Sequence, residues 1–298
     1  MADLSPYAQL VGRVPVRLAE VALRGGPTRY WVYGENSAPH RMVFLHGLRG
    51  DHHGLEPIVA HLTGACVVVP DLPGFGQSAR LRSGAHDVAG YTAWARDLVA
   101  AVAPGGDAVV AGHSFGSIVA AAVAHGTSVR GLVLVNPIAA SPLAGPRVAM
   151  TRLATLYHRL AAVLPVGAGT ALLRSRLATR VASAAMVTTS DRALRRWIHQ
   201  EHDRRFGLFA ERRVVLEAFA ASIAHDVGEY AGDVATPTLL VAGEHDEIAP
   251  LPAQRVLAGR FVDARLVVVP GTGHLAHYEA PAAVAGAIAG FLAALPVP

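Results

Sequence analysis

The stretch Val109-Val110-Ala111-Gly112-His113-Ser114-Phe115-Gly116-Ser117-Ile118 decides the fold of this chain. An apolar run leads into the pattern Gly-x-Ser-x-Gly, and small residues continue to Ala124. This pattern predicts a buried strand, a tight turn with Ser114 at its apex, and a helix that begins at once. The turn is expected to expose the Ser114 hydroxyl beside the unpaired amides of the helix N-terminus.

Apolar, β-branched segments recur on both sides of this turn and alternate with helical patterns. Several of them are apolar on both faces, which is typical of a mostly parallel sheet covered by helices on both sides. A turn is expected at Gly25-Gly26-Pro27. Strands are predicted at 17–23, 28–33, 41–45, 66–69, 108–111, 131–135, 237–241 and 265–269. Helices between them are predicted at 55–62, 91–102, 118–124, 252–258 and 281–295.

The alternation stops between residues 138 and 233, where no strand pattern occurs. Joints are expected at Pro165, Gly167, Gly169 and Thr188-Thr189-Ser190. The sequence therefore predicts a core domain at 1–137 and 234–298 with an all-helical cap inserted at 138–233. Its helices, rich in Ala, Leu and Arg, are predicted at 147–164, 168–178, 191–206 and 211–224.

Composition limits the class of protein. The 298 residues are 52% hydrophobic and 16% charged, which suits one large domain or a core with an insertion. The net charge is +4, but the 26 basic residues, all arginine, are scattered among acidic ones, so no nucleic-acid partner is expected. The lone Cys66 is interpreted as a buried strand residue. Without a continuous apolar segment near the N-terminus, we expect a soluble cytoplasmic protein with no integral membrane segment.

A serine hydroxyl needs a base, and the base needs an orienting acid. Asp246 follows the predicted strand 237–241, and His274 follows the strand 265–269. Because the carboxyl ends of parallel strands share one edge, Ser114, Asp246 and His274 are expected to converge there.

With these residues in place, the sequence resembles the α/β-hydrolase superfamily along almost its whole length. The matching motifs, in order, are His46-Gly47, Asp71-Leu72-Pro73-Gly74-Phe75-Gly76-Gln77-Ser78, Gly112-His113-Ser114-Phe115-Gly116, Gly243-Glu244-His245-Asp246 and Gly273-His274. The resemblance implies an α/β-hydrolase fold with a mostly parallel eight-stranded sheet and a helical cap.

The resemblance also implies the role of each site residue. Ser114 would be the nucleophile, His274 the general base and then acid, and Asp246 the orienting carboxylate. The backbone amides of Leu48 and Phe115 would form the oxyanion hole. Alternatives are Glu244 as the acid and His113 or His277 as the histidine, whereas Asp71 is interpreted as holding its glycine-rich loop.

The cap is expected to form the substrate pocket. The substrate contacts proposed from the sequence are His46, Gly47, Tyr157, Trp197 and Phe206, with Phe209 as a further aromatic wall. An alternative is that the cap aromatics only pack the cap on itself. Thirteen arginines between residues 147 and 213 are interpreted as a solvated face rather than a clamp for an acidic substrate.

The function predicted is hydrolysis of a carboxylic ester, thioester or lactone of a small to medium, largely apolar substrate. Relatives with aspartate at the elbow (epoxide hydrolases, haloalkane dehalogenases) are disfavoured by Ser114, and hydroxynitrile lyases by the absence of lysine. A carbon–carbon bond hydrolase and a small-ligand receptor remain alternatives. No cofactor is expected, and no metal at His46, His52 and His53. Monomer and dimer are both compatible with the sequence.

Overall fold

The computed structural model describes residues 5–141 and 148–296, and within them one mixed sheet of eight strands forms the centre. The predicted strand count and places are confirmed to within two or three residues at each end. The strands are β1 Val16–Leu23, β2 Gly26–Tyr33, β3 His40–Leu45, β4 Ala65–Pro70, β5 Ala108–His113, β6 Gly131–Val135, β7 Thr238–Gly243 and β8 Ala264–Val269.

The strands are ordered β1-β2-β4-β3-β5-β6-β7-β8 across the sheet. Strand β2 runs antiparallel to both of its neighbours, and every pair from β4 to β8 is parallel. The predicted turn at 25–27 is wrong by one or two residues. The hairpin instead turns at Arg24 and Gly25, both with positive φ (49° and 80°), while Gly26 and Pro27 already pair in β2.

Helices connect the strands and continue through a long segment between β6 and β7. In the described residues these helices are α1 Ala8–Val11, α2 Glu56–Val59, α3 Val88–Val102, α4 Phe115–Gly126, α5 Val148–Val163, α6 Val166–Leu173, α7 Arg176–Met186, α8 Arg192–Arg205, α9 Arg212–Ala224, α10 Leu251–Ala258, α11 Ala276–Glu279 and α12 Pro281–Ala294.

Two apolar layers cover the sheet, one on each face. On one face Val43, Val110 and Leu132 pack with α3 and α4. On the other face Phe44, Val109 and their neighbours pack with α2 and α12. Successive strand residues alternate between these layers, as the two-residue period of a strand requires. This two-sided burial explains why the central strands read as continuous apolar runs.

The segment between β6 and β7 carries helices α5 to α9, which we call the inserted helices. The predicted helix 168–178 is wrong, because Ser175 interrupts it: α6 ends at Leu173, and the Ser175 hydroxyl accepts from Ala178 N (3.4 Å) to cap α7. The joint expected at Gly169 is also wrong. That glycine and Gly167 lie inside α6, where a Cβ on Gly169 would overlap the carbonyl of Ala161 in α5.

The boundaries of a core and a cap stay a prediction. Part of the proposed cap, 142–147, and the predicted helix start at Arg147 lie outside the described residues. Within the part of the chain that the structure describes, no helix has both the length and the apolar character needed to cross a membrane.

Candidate active site

Ser114 sits at the junction of β5 and α4 with a backbone that side chains rarely adopt. Its φ is 52° and its ψ is −120°. A Cβ added at Gly112 would overlap the carbonyl of Gly116, and one added at Gly116 would overlap the carbonyl of Leu45 in β3. The strand and helix therefore approach at a distance that only glycine allows. This junction holds Ser114 at the carboxyl edge of the sheet in a strained conformation.

The Ser114, His274 and Asp246 side chains lie in series at this edge. Ser114 Oγ is 2.8 Å from His274 Nε2, and His274 Nδ1 is 2.8 Å from Asp246 Oδ2. An ionised carboxylate only accepts hydrogen bonds, so Nδ1 carries the proton and Nε2 is left to accept from the Ser114 hydroxyl. The structure thus brings together three residues that the sequence separates by up to 160 positions.

The Asp246 carboxylate is buried but fully hydrogen-bonded. Its Oδ2 also accepts from Asn136 Nδ2 (2.9 Å), and its Oδ1 accepts from the backbone amides of Ile248 and Ala249 (both 2.9 Å). Burial alone would raise the pKa of Asp246, but the nearby His274 and these hydrogen bonds hold the pKa below its usual value. Asp246 is therefore negatively charged at neutral pH.

Sequence reasoning missed Asn136, which contacts the Asp246 carboxylate. It follows β6 with φ 45°, a conformation that asparagine tolerates better than most residues. Its Nδ2 bridges Asp246 and the carbonyl of Gly273 (3.2 Å), next to His274. A polar residue directly after a central parallel strand was the signal that could have found it.

The alternative candidates occupy other places. The Glu244 side chain is largely exposed and accepts from Gly271 N (2.9 Å). His113 and His277 pack against each other, with ring centroids 4.0 Å apart, and both are buried. Burial lowers the pKa of His113 to about 3 and the pKa of His277 well below its usual value. Both rings are neutral, and neither is hydrogen-bonded to Ser114 in the way His274 is.

Leu48 and Phe115, whose backbone amides are proposed for an oxyanion hole, both lie near Ser114. Phe115 is the first residue of α4, so its amide belongs to the unpaired N-terminal set of that helix. Gly47 lies against the serine, because a Cβ there would be 3.3 Å from Ser114 Cβ. Leu48 follows it, and Leu48 and Phe115 both line the cavity above the serine.

His46 holds the loop in place and has no nitrogen free for a substrate. Its Nε2 accepts from Leu72 N (2.9 Å), and its Nδ1 lies 2.8 Å from the carbonyl of Gly47. The ring is buried, and burial lowers its pKa, so it is neutral. Asp71 holds the neighbouring loop as expected, because it accepts from the amides of Gln77 and His52.

A cavity of about 360 Å³ opens above Ser114 and His274. Its floor comes from the sheet edge and its walls from the inserted helices. Most of the wall is apolar, and the wall residues from the inserted helices and the loops beside them include Met150, Ala154, His158, Ala182, Ala185, Met186, Phe206, Phe219 and Ile223. This composition and volume fit a small, largely apolar organic molecule.

Three of the five proposed substrate contacts, His46, Gly47 and Phe206, border this cavity. The other two, Tyr157 and Trp197, do not border it. The Tyr157 hydroxyl donates to the carbonyl of Leu172 (2.6 Å), which joins α5 to α6. Trp197 packs edge-on against Tyr278, in an apolar cluster behind the cavity wall that Tyr278 and Leu275 form. These aromatics hold the inserted helices together and to the core.

Phe209 is buried away from the cavity, where it pairs with Phe75 across a short bridge. Arg49 is a wall residue that the sequence did not bring forward. Its guanidinium donates to the carbonyls of Leu173 and Phe206, at the C-terminal ends of α6 and α8. Arg49 therefore ties the loop after Leu48 to the inserted helices.

Asp51, His52 and His53 form a cluster whose side-chain nitrogen and oxygen atoms lie within 4.8 Å of one another. Its members have protein partners. His52 Nδ1 is 2.8 Å from Asp71, and Asp51 accepts from the amide of His53 while facing the guanidinium of Arg205 at 3.4 Å.

Comparison with known proteins places this geometry in a family. Residues 42–287 match the model of the alpha/beta hydrolase family, and the chain belongs to that family. Similar folds include an esterase from Thermogutta terrifontis (21% identity, 93% of this chain and 98% of that one, TM-score 0.71). An enol-lactonase from Burkholderia xenovorans LB400 matches at 20% identity over 92% of this chain and 100% of that one, with a TM-score of 0.74. The epoxide hydrolase CorEH matches at 20% identity over 94% and 99%, with a TM-score of 0.72.

Proposed function

We propose that the protein is a serine hydrolase that cleaves carboxylic esters, thioesters or lactones through an acyl-enzyme. The observation that carries the proposal is the series of contacts from Ser114 Oγ through His274 to the buried, ionised Asp246. In this arrangement the lone pair of His274 Nε2 faces the Ser114 hydroxyl, and the proton on Nδ1 faces the Asp246 carboxylate. That is the arrangement in which a serine becomes a nucleophile at neutral pH.

In the acylation step, Ser114 Oγ attacks the carbonyl carbon of the substrate while His274 Nε2 takes the hydroxyl proton. The negative charge of Asp246 stabilises the imidazolium that results. The carbonyl oxygen becomes an oxyanion that faces the amides of Leu48 and Phe115, each worth about 3 kcal/mol of the barrier. The intermediate collapses, and His274 gives its proton to the departing alkoxide, leaving an acyl group on Ser114.

In the deacylation step a water molecule attacks the acyl carbonyl, and His274 takes one of its protons. The second tetrahedral intermediate breaks the bond to Ser114 Oγ, which recovers its proton from His274. The products are a carboxylic acid and the regenerated enzyme. Every proton passes through the same nitrogen, which is why its place 2.8 Å from the serine matters.

The cavity favours a short to medium acyl chain. Its volume of about 360 Å³ is near the lower end of ligand pockets, which range over about 300–1,000 Å³. Met150, Phe219 and Ile223 offer no charge to a substrate, so an uncharged acyl chain fits this wall. We expect butanoate to octanoate esters to be better substrates than acetate or palmitate esters.

The experiment is hydrolysis of p-nitrophenyl esters of increasing acyl length by the wild type and by Ser114→Ala. We expect turnover with an optimum at short to medium chains and a loss of about 10³–10⁶-fold in kcat for the variant. Ser83→Ala, an exposed serine far from the site in the sequence, serves as the matched control and should keep full activity. Undiminished turnover in Ser114→Ala, or no turnover of any ester by the folded wild type, would contradict the proposal.

A further inference from the structure

The inserted helices α5, α6 and α7 expose many large apolar side chains to solvent. Of the thirteen large apolar side chains exposed in the described part of the chain, eight lie between residues 148 and 186. On α5 the exposed fractions are 58% for Leu153, 62% for Leu156, 48% for Leu160 and 80% for Val163. Scattered single residues of this kind are ordinary, but several on one face of a helix mark an interaction surface.

These residues form one stripe along α5. At about 100° per residue, Leu153, Leu156, Leu160 and Val163 fall within about 80° of one another around the helix. The cavity-lining residues Ala154 and His158 lie on the opposite side. A helix that is apolar on both sides is expected to be covered on both. In this structure the cavity side faces the interior, and the outer stripe faces solvent.

The charges beside the stripe have one sign. From residue 148 to residue 186 the chain has five arginines and no aspartate or glutamate. Arg152 and Arg159 lie along one edge of the α5 stripe, and Arg176 lies next to the exposed Leu177 (75%) at the start of α7. Within the described residues Arg180 is paired with Asp203 of α8. The surface is therefore apolar and cationic.

We propose that the outer face of α5 docks on an anionic lipid surface. Leucine and valine side chains enter the boundary between headgroups and acyl chains, while arginines at the edge bind lipid phosphates. A second copy of the chain is a poorer occupant, because it brings the same arginines without acidic partners. The inference goes beyond the proposed function and does not depend on it.

The docked face leads to the cavity. Met150 of α5 is 42% exposed and also lines the cavity, and Ala182 of α7 is exposed and lines it as well. An apolar molecule dissolved in the lipid thus meets the cavity wall where α5 and α7 reach the surface.

The test is flotation of the full chain with vesicles, carried out in the Ser114→Ala background so that binding is measured apart from hydrolysis. We expect binding to vesicles made of two thirds phosphatidylcholine and one third phosphatidylglycerol. Binding to vesicles of phosphatidylcholine alone should be much weaker. The double variant Leu156→Ser, Leu160→Ser should bind about tenfold more weakly. Its matched control is Val256→Ser, Val262→Ser, which changes two exposed valines (60% and 71%) elsewhere and should bind as the parent does.

Charge reversal tests the contribution of the arginines to lipid binding. Arg152→Glu and Arg159→Glu should each weaken binding to the anionic vesicles by at least fivefold, from about 1 kcal/mol per basic residue. Arg255→Glu, on α10, is the control. Equal binding by the Leu156/Leu160 variant and its control would overturn the proposal. So would an absence of vesicle binding, whether the protein stays monomeric or self-associates through this face.

Discussion

Replacing Asp246 by asparagine tests the site most sharply, because the change is nearly isosteric and its cost follows from the contacts. The two carboxylate oxygens accept four hydrogen bonds, two at each oxygen. Whichever way the new amide turns, its NH₂ group faces two donors. At Oδ2 those donors are His274 Nδ1 and Asn136 Nδ2. At Oδ1 they are the amides of Ile248 and Ala249.

The loss of stability follows from this mismatch. A hydrogen bond to a charged group contributes about 1.5–3 kcal/mol, and the amide disrupts two of them. A change of His274 to its other tautomer restores one, so we expect Asp246→Asn to lower the free energy of unfolding by about 1.5–3 kcal/mol. In this tautomer the proton is on Nε2, which faces Ser114, so the ring can no longer accept the hydroxyl proton of Ser114. Loss of the orienting carboxylate should then lower kcat by about 10⁴-fold.

Two assays separate these effects. Urea unfolding at pH 7 measures stability, and ester hydrolysis by the folded variant measures kcat. The control is Glu244→Gln, which keeps an acceptor for Gly271 N on an exposed neighbour and should change stability by less than about 0.5 kcal/mol. An unchanged urea midpoint for Asp246→Asn would refute the hydrogen-bond reasoning. A fall in kcat of less than tenfold would refute the orienting role.

Two further predictions concern stability. Gly116→Ala places a Cβ on the carbonyl of Leu45 and should cost at least about 3 kcal/mol in thermal unfolding, whereas Gly290→Ala, in open space on α12, should stabilise by up to about 1 kcal/mol. Equal effects would contradict the close approach. Burial lowers the pKa of His202 to about 3, so the folded chain keeps the ring neutral while the unfolded chain binds a proton below pH 6.5. Stability is therefore lost as the pH falls, by about 1.4 kcal/mol per unit for this residue. Between pH 7 and pH 5, His202→Gln should lose about 2 kcal/mol less than the wild type in urea unfolding, and equal losses would show that the ring is not held neutral.

The sheet was predictable because its pattern is local. Strands β3, β5, β6 and β7 are apolar on both faces, and that pattern depends only on what each strand packs between. The relation of Ser114, Asp246 and His274 was predictable for a similar reason. Parallel strands deliver the residues that follow them to one edge, whatever their separation in the sequence.

The inserted helices were harder to predict because their details depend on contacts between elements. Ser175 is one polar residue in a run that favours helix throughout, yet its capping bond separates α6 from α7. Tyr157 and Trp197 are aromatic, as many pocket residues are, but Tyr157 donates to the carbonyl of Leu172 and Trp197 packs against Tyr278. Arg49 is one arginine of 26, and only the ends of α6 and α8 reveal its contacts.

The pairing of β6 with β7 has a consequence for how such a chain changes over evolutionary time. These neighbouring parallel strands are joined by roughly one hundred residues. Doubling the length of a loop adds only about 0.6 kcal/mol to the free-energy cost of closing it. The stability of the sheet edge that carries Asn136 and Asp246 therefore depends little on the length of the segment between β6 and β7. Selection can lengthen, shorten or exchange the inserted helices while the hydrogen bonds at Ser114, His274 and Asp246 keep their geometry.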